Sequence, residues 1–151
     1  MSVTGIDIGV NPTGTRHDRV LAGYATETGI KFGDIVRWDT ASTGNHRAII
    51  CTTTAGDNQI AGVVVSQTDP TSGSAVGDLL EVCDLGVCEV NVVASQTLVK
   101  GDLLISSTTA GAVKKIASET TPDVLGRVNM DLTSIASVVR VSVNVNIYQH
   151  A

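Results

Sequence analysis

The clearest pattern along the chain is an alternation of apolar and polar residues from Val139 to Ile147. Val or Ile occupies every odd position of this segment, and Arg, Ser or Asn occupies every even position. Successive side chains of a β-strand point to opposite faces, so a period of two predicts a half-buried strand. Only residues 133–138 and the region near Ala117 suit a helical turn. The pattern therefore favours an all-β fold.

A second pattern is a Gly-Asp pair followed by two apolar residues. It occurs at Gly33-Asp34, Gly77-Asp78 and Gly101-Asp102. Glycine adopts the unusual φ of a tight turn, and an aspartate side chain can bond its own backbone two residues further on. Each pair is therefore expected to form a tight turn that leads the chain into a strand.

Two longer segments, residues 33–64 and 101–128, also resemble each other. Both begin with Gly-Asp and an apolar pair, continue through a Thr- and Ser-rich turn and a strand, and end in an apolar-x-Gly-x-Val motif. We interpret them as a recurrent β-unit used twice, or as an old duplication. Strands at short spacing with Gly, Ser and Thr turns predict a compact β-barrel or β-sandwich.

The segment EVCDLGVCEV, residues 81–90, reads as a β-hairpin. A three-residue loop that ends with Gly86 in a left-handed conformation is a favoured hairpin geometry. This register gives one continuous apolar face, with Cys88 in the core and Cys83 on the opposite face. A disulfide requires two thiols on the same face, so none is expected between them.

The first part of the chain has a different character. Residues 1–30 are rich in glycine, contain Pro12 and a charged cluster at residues 16–19, and have few apolar side chains. Such a segment buries little surface against its own domain. We predict an extended N-terminal arm over residues 1–30, with one short strand from Ile6 to Val10, followed by a β domain over residues 31–151.

Composition supports the β assignment and excludes several functions. Val, Ile and Thr make up about a third of the chain, and aromatic residues only 3%, which favours a pleated, aliphatic core. The net charge is −5 with no basic stripe, so nucleic acid is not expected as a partner. No apolar run is long enough for a membrane span, and no signal peptide is evident, so synthesis in the cytoplasm is expected.

Candidate chemistry is sparse. Cys83 and Cys88 have no second Cys or His pair at zinc-ligand spacing, so no metal and no cofactor are expected. Asp39-Thr40-Ala41 and the later segment 124–127 resemble the active-site loop and the apolar-Gly-Arg motif of small dimeric retroviral-type aspartic proteases. Ala41 replaces the glycine of that loop, however, and the recurrent β-unit accounts for both segments. We therefore interpret Asp39 as a turn residue and the chain as a non-enzyme.

The stretch that includes GVCEV (86–90), KGDLL (100–104) and VLGRV (124–128) resembles the capsid decoration proteins of tailed bacteriophages, lambda-type or related. The resemblance covers residues 30–145. It implies a compact, β-tulip-like domain and a structural role in the virion. Such proteins form homotrimers on the outer surface of the expanded capsid, bind the major capsid protein and cement its neighbouring subunits.

The resemblance implies contact residues as well. An arm that gains a strand partner on the capsid would use β-augmentation. The predicted capsid contacts are Val3, Ile6, Ile8 and Val10, with Arg16 and Arg19 for capsid carboxylates. Trp38 and Tyr148 are predicted as oligomer contacts, because aromatic residues are rare in this chain. A fibre or adhesin β domain of the same kind of particle stays open as an alternative.

Overall fold

The fold is all-β, as predicted. The computed structural model describes residues 15–44, 47–66, 68–133 and 139–150, and within these ranges it contains strands and no helix. The strands are β1 (Arg16–Ala25), β2 (Ile35–Trp38), β3 (Ala48–Cys51), β4 (Ile60–Val64), β5 (Leu79–Val92), β6 (Leu103–Ser106), β7 (Val113–Lys115), β8 (Asp123–Val128) and β9 (Val139–Gln149). The alternation from Val139 to Ile147 lies on β9, so that prediction is confirmed. Residues 134–138, one of the two candidate helical regions, lie outside the described residues.

The strands pair into one sheet that closes on itself twice. In the first closed set, ring A, the pairs run β1–β3–β2–β4–β5 and return from β5 to β1. In the second, ring B, they run β5–β7–β6–β8–β9 and return from β9 to β5. β5 belongs to both rings, with its N-terminal part in ring A and its C-terminal part in ring B.

The two rings have the same topology, which confirms the predicted recurrent unit. β1 and β3 are parallel in ring A, as β5 and β7 are in ring B, and the other pairs are antiparallel. Gly62 of β4 and Gly126 of β8 occupy equivalent positions opposite β2 and β6. A Cβ atom on either glycine would lie within 2.5 Å of a carbonyl oxygen on the next strand.

Each ring encloses an aliphatic core. The ring A core contains Ile30 and Ile49 and one or two residues from every ring A strand. The ring B core is larger and includes Val90, Val113 and Leu125. Ile35 and Val63, on the outer face of ring A strands, also join the ring B core. Alternate residues of β2 and β4 are therefore buried on opposite faces, which joins the two rings into one domain.

The three Gly-Asp turns form as predicted, with one difference. Gly33, Gly77 and Gly101 have φ values of 87°, 91° and 98°, and β2, β5 and β6 each begin directly after the aspartate. The aspartate carboxylates do not bond forward. Each accepts the backbone N–H three residues earlier, at 2.8 Å, 2.8 Å and 2.9 Å. A backbone bond at the same spacing closes each turn.

The predicted hairpin at residues 81–90 is wrong. β5 runs without a break from Leu79 to Val92, and Gly86, with φ of 144°, lies within it. The pairing with β1 is irregular beside Gly86, which is typical of a β-bulge. The extra residue shifts the period of two, so Cys83 and Cys88 are both fully buried and both join the ring B core.

The predicted arm is also wrong for residues 16–25. These residues form β1, which pairs along β5 from Arg16 to Tyr24 and reaches β3 at its end. The alternation of β1 is hard to see in the sequence for two reasons. Glycine occupies the inward position 23, because Ile49 fills the space that a side chain would need. The register of the pairing also shifts near Arg19. Residues 1–14, with the predicted strand from Ile6 to Val10, lie outside the described residues.

Candidate interaction surfaces

An exposed apolar surface lies where β1 pairs with the start of β5. Tyr24 stands directly opposite Leu79, and these side chains are 39% and 59% exposed. Val20 on β1 and Val76 in the turn before β5 are also exposed. A shallow groove of about 500 Å³ lies beside them, with Ser66 and Glu81 among its lining residues. We call Val20, Tyr24, Val76 and Leu79 the β1 face.

A second exposed apolar site lies in ring B. Val99 is 57% exposed and Met130 is 40% exposed. Val99 begins the third Gly-Asp turn, and Lys100 is also exposed. The backbone N–H of Lys100 donates to the Asp131 carboxylate at 2.8 Å, which ties the turn to the segment that carries Met130. We call residues 99–102 the ring B turn.

The equivalent turn in ring A is not exposed in this way, because it packs against β5. Asn91 donates its backbone N–H to the carbonyl of Gly33 at 2.9 Å, and its side-chain amide donates to the Asp34 carboxylate at 2.8 Å. The Arg140 guanidinium lies over the Phe32 ring at 4.8 Å, a cation–π distance. Burial raises the pKa of the Asp34 carboxyl, since removing water disfavours the charged form.

The two arginines predicted to contact the capsid are both exposed, and each has an acidic partner in the chain. The Arg19 guanidinium donates to both carboxylate oxygens of Asp84, at 2.7 Å and 2.9 Å, which raises the pKa of Arg19. The Arg16 guanidinium donates to the Asp18 carboxylate at 2.6 Å. Val3, Ile6, Ile8 and Val10, the other predicted contacts, lie outside the described residues.

The two aromatic residues predicted as oligomer contacts lie on different rings. Trp38 ends β2, is half-buried, and packs against the ring A core. Tyr148 lies on β9 opposite Val124 and is 42% exposed. Trp38 and Tyr148 therefore do not lie on neighbouring strands.

Asp39 holds a turn, as interpreted from the sequence. One of its carboxylate oxygens accepts the Thr26 hydroxyl at 2.6 Å, and the other accepts the backbone N–H of Ala41 at 3.1 Å. The backbone N–H of Ser42 returns to the Asp39 carbonyl. The segment 124–127 forms part of β8 in ring B, where Val124 and Leu125 are buried. Asp39 lies at the end of β2 in ring A.

All three cysteines are buried and carry free thiols. Burial beside the carboxylates of Asp34 and Glu27 raises the pKa of Cys51. The hydrogen bond between the two thiols of β5 lowers the pKa of Cys83 and raises that of Cys88. Within the described ranges, no group of three or more His, Cys, Asp or Glu side chains is placed to hold a metal ion.

The β1 face and the ring B turn were not identified from the sequence. The sequence predicts an arm over residues 1–30, which does not place Val20 and Tyr24 in a sheet. The paired position of Leu79 follows only from the β1–β5 register. The internal repeat is the sequence signal that points to the ring B turn, because it implies that the Gly-Asp turn at residues 31–34 has an equivalent in the second unit.

Among the described residues, no helix is long and apolar enough to cross a membrane.

Comparison with known proteins gives a likeness of fold. No protein-family model matches the chain, and no curated protein sequence matches it. Among solved structures, the chain is similar to the head fibre gp8.5 N base of bacteriophage phi29, with a TM-score of 0.52 and 14% sequence identity. The match covers 87% of this chain and 98% of that one. At this identity the two chains share a fold.

Proposed function

We propose that this protein is a non-enzymatic structural protein of a bacteriophage head, bound as a homotrimer to the outer surface of the capsid. There it connects neighbouring subunits of the major capsid protein. The observation that carries the proposal is the fold shared with the base of the phi29 head fibre over almost the whole of both chains. The doubly closed sheet supports it, because closed sheets leave few strand edges and suit a rigid external part.

Capsid attachment is assigned to the segment before β1. Val3, Ile6, Ile8 and Val10 supply apolar contacts, and the segment binds by adding as a strand to an exposed sheet edge of the capsid. Arg16 and Arg19 follow directly in β1. The Arg16–Asp18 ion pair is exposed on both sides and weak in water, so its exchange for a capsid carboxylate costs little. Many copies on one particle add avidity to each modest contact.

The test is co-sedimentation with expanded empty capsids. We expect stoichiometric binding by the full chain and loss of binding when residues 2–14 are deleted. The deletion ends before Arg16, because β1 is part of ring A. A control variant keeps the length of the segment and replaces Ile6, Ile8 and Val10 with serine, and it should also lose binding. Failure of the full chain to bind the capsid would contradict the proposed function.

A second candidate function is the base domain of a head fibre. The name of the similar phi29 structure favours it, since that structure is the base of a fibre. Electron microscopy of decorated particles separates the two. A decoration protein gives compact density at the three-fold and quasi-three-fold positions, whereas a fibre base gives density that continues outward.

The aspartic protease alternative has a direct test. Asp39 uses both carboxylate oxygens in its turn, so we expect no cleavage of peptide substrates by the wild-type chain. Cleavage that disappears in Asp39→Asn would instead establish the protease.

A further inference from the structure

The internal repeat assigns each residue of ring A an equivalent in ring B. Tyr24 pairs with Leu79 across β1 and β5, and Asn91 pairs with Arg140 across β5 and β9. The parallel pairs give the same alignment, since Ala25 pairs with Ile49 as Val92 pairs with Val113. Tyr24 therefore corresponds to Asn91, and Leu79 corresponds to Arg140.

In ring B these two positions are covered by the neighbouring unit. The turn at residues 31–34 lies on them, with hydrogen bonds from Asn91 to Gly33 and Asp34 and with Phe32 under Arg140. In this contact the Gly-Asp turn of ring A packs on β5, the first strand of ring B. A further repeat of the same unit would form the same contact with its neighbour.

In ring A the equivalent positions are exposed. Tyr24 and Leu79 are 39% and 59% exposed, and Val20 and Val76 extend the same apolar surface. Within the described ranges, no turn lies on this face as residues 31–34 lie on Asn91. The first unit of a repeat structure lacks the neighbour that covers the others, so its open face needs a cap or a partner.

The opposite end of the repeat has the matching exposed turn. The ring B turn corresponds to residues 31–34, since Gly101 and Asp102 correspond to Gly33 and Asp34. Lys100 takes the position of Phe32, and Val99 takes that of Lys31. Both Val99 and Lys100 are exposed. Lys100 and Leu79 therefore take the positions of Phe32 and Arg140, and Tyr24, directly opposite Leu79, takes the position of Asn91.

We propose that copies of this chain associate head to tail, with the ring B turn of one copy on the β1 face of the next. The Lys100 side chain lies on Leu79, with its apolar stem on that side chain and its cation beside the neighbouring Tyr24 ring. Val99 packs on Leu79 and Val76. The occupant of the face is a second copy, because the same type of turn already covers the equivalent face within the chain.

Such a contact joins two different surfaces, so it is heterologous. Heterologous contacts generate a ring when the rotation closes and a filament when it does not. A closed ring of three copies would form the homotrimer of the proposed function through this contact. The inference rests on the proposed function only for the number of copies in the ring. Capsid binding is measured separately, so failure of one does not imply failure of the other.

The experiment is sedimentation velocity with variants blocked at one surface each. Leu79→Lys blocks the β1 face and Val99→Lys blocks the ring B turn, and both side chains are largely exposed, so folding is retained. We expect the wild-type chain to associate and each variant to be monomeric. Mixing the two variants should restore a dimer, because one retains an intact turn and the other an intact face. Circular dichroism confirms that both variants are folded.

The controls distinguish this contact from others. Leu85→Lys places the same charge at an exposed apolar residue outside both surfaces and should associate like the wild type. A monomeric wild-type chain, association retained in both blocked variants, or a mixture that stays monomeric would each overturn the proposal. If the wild type is monomeric and deletion of residues 2–14 produces association, that segment covers the face in place of a second copy.

Discussion

Gly86 and Arg16 approach so closely that a Cβ atom on residue 86 would lie 2.1 Å from the Arg16 carbonyl oxygen. The approach lies where β1 meets the middle of β5. It accounts for glycine at this position more directly than the turn that the sequence suggested.

Gly86→Ala should be among the most destabilising single substitutions in the chain. It adds a clash with backbone to a φ of 144°, and we expect a loss of about 3 kcal/mol in the free energy of unfolding. Urea denaturation followed by circular dichroism measures it. Gly101→Ala is the matched control, since its φ is 98° but no atom lies within 4 Å of the added Cβ. It should cost about 1 kcal/mol, and equal losses would mean that the clash is relieved by movement of β1.

The turn aspartates Asp34 and Asp102 should respond to acid in opposite directions. A hydrogen bond from the backbone of Val99 and the ion pair with Lys115 lower the pKa of Asp102, so its stabilisation is present above the unfolded pKa of about 4 and is lost as the pH falls further. Burial raises the pKa of Asp34, so its contribution is largest at acid pH and declines as the pH rises through the folded pKa.

Unfolding free energies of Asp102→Asn and Asp34→Asn between neutral and acid pH check this. Relative to the wild type, Asp102→Asn should lose less stability on acidification. Asp34→Asn should lose more, because it lacks the group that takes up a proton in the folded state. The same pH dependence in both variants would contradict the assigned directions.

Glu119 should contribute to acid denaturation at unusually low pH. Its hydrogen-bonded ion pair with Lys114 lowers the pKa of Glu119 from 4.5 to about 2. The stabilisation is therefore complete above pH 4.5 and is lost as the pH falls to about 2. Both side chains retain contact with water, so the effect at neutral pH should be below about 1 kcal/mol. Glu119→Gln removes it, and Glu81→Gln at an exposed position is the control.

The three thiols should be protected in the folded protein. Cys83 and Cys88 are fully buried and Cys51 nearly so. We expect modification by an aromatic disulfide reagent to be slower by on the order of tenfold or more in buffer than in denaturing urea. Rapid modification of Cys83 or Cys88 in buffer would show that β5 opens locally, and rapid modification of Cys51 would show that β3 does. The variants Cys83→Ala and Cys88→Ala identify which thiol reacts.

Much of the fold followed from local patterns. The alternation in β9, the Gly-Asp turns and the recurrent unit depend on neighbouring residues, so the sequence alone carries them. The sequence predicts a turn inside β5 because a glycine between two apolar runs suits both a hairpin turn and a bulge. Only the long-range pairing of Val20 with Cys83 and of Val63 with Cys83 decides between them.

The candidate surfaces were harder to predict for the same reason. Tyr24 is exposed because no other unit covers β1 within the described ranges, and no local sequence pattern records this. Arg19 was recognised as an exposed cation, but its partner Asp84 is distant in sequence. The Asp39 turn was predicted because its partner Ala41 is adjacent.

Because β5 belongs to both rings, the two rings are mechanically coupled. Removing β5 from ring A also removes a strand from ring B, so opening at β5 exposes both cores to water together. The chain should therefore unfold in a single cooperative transition without a half-folded intermediate. A pull applied at one ring is likewise transmitted to the other through continuous backbone.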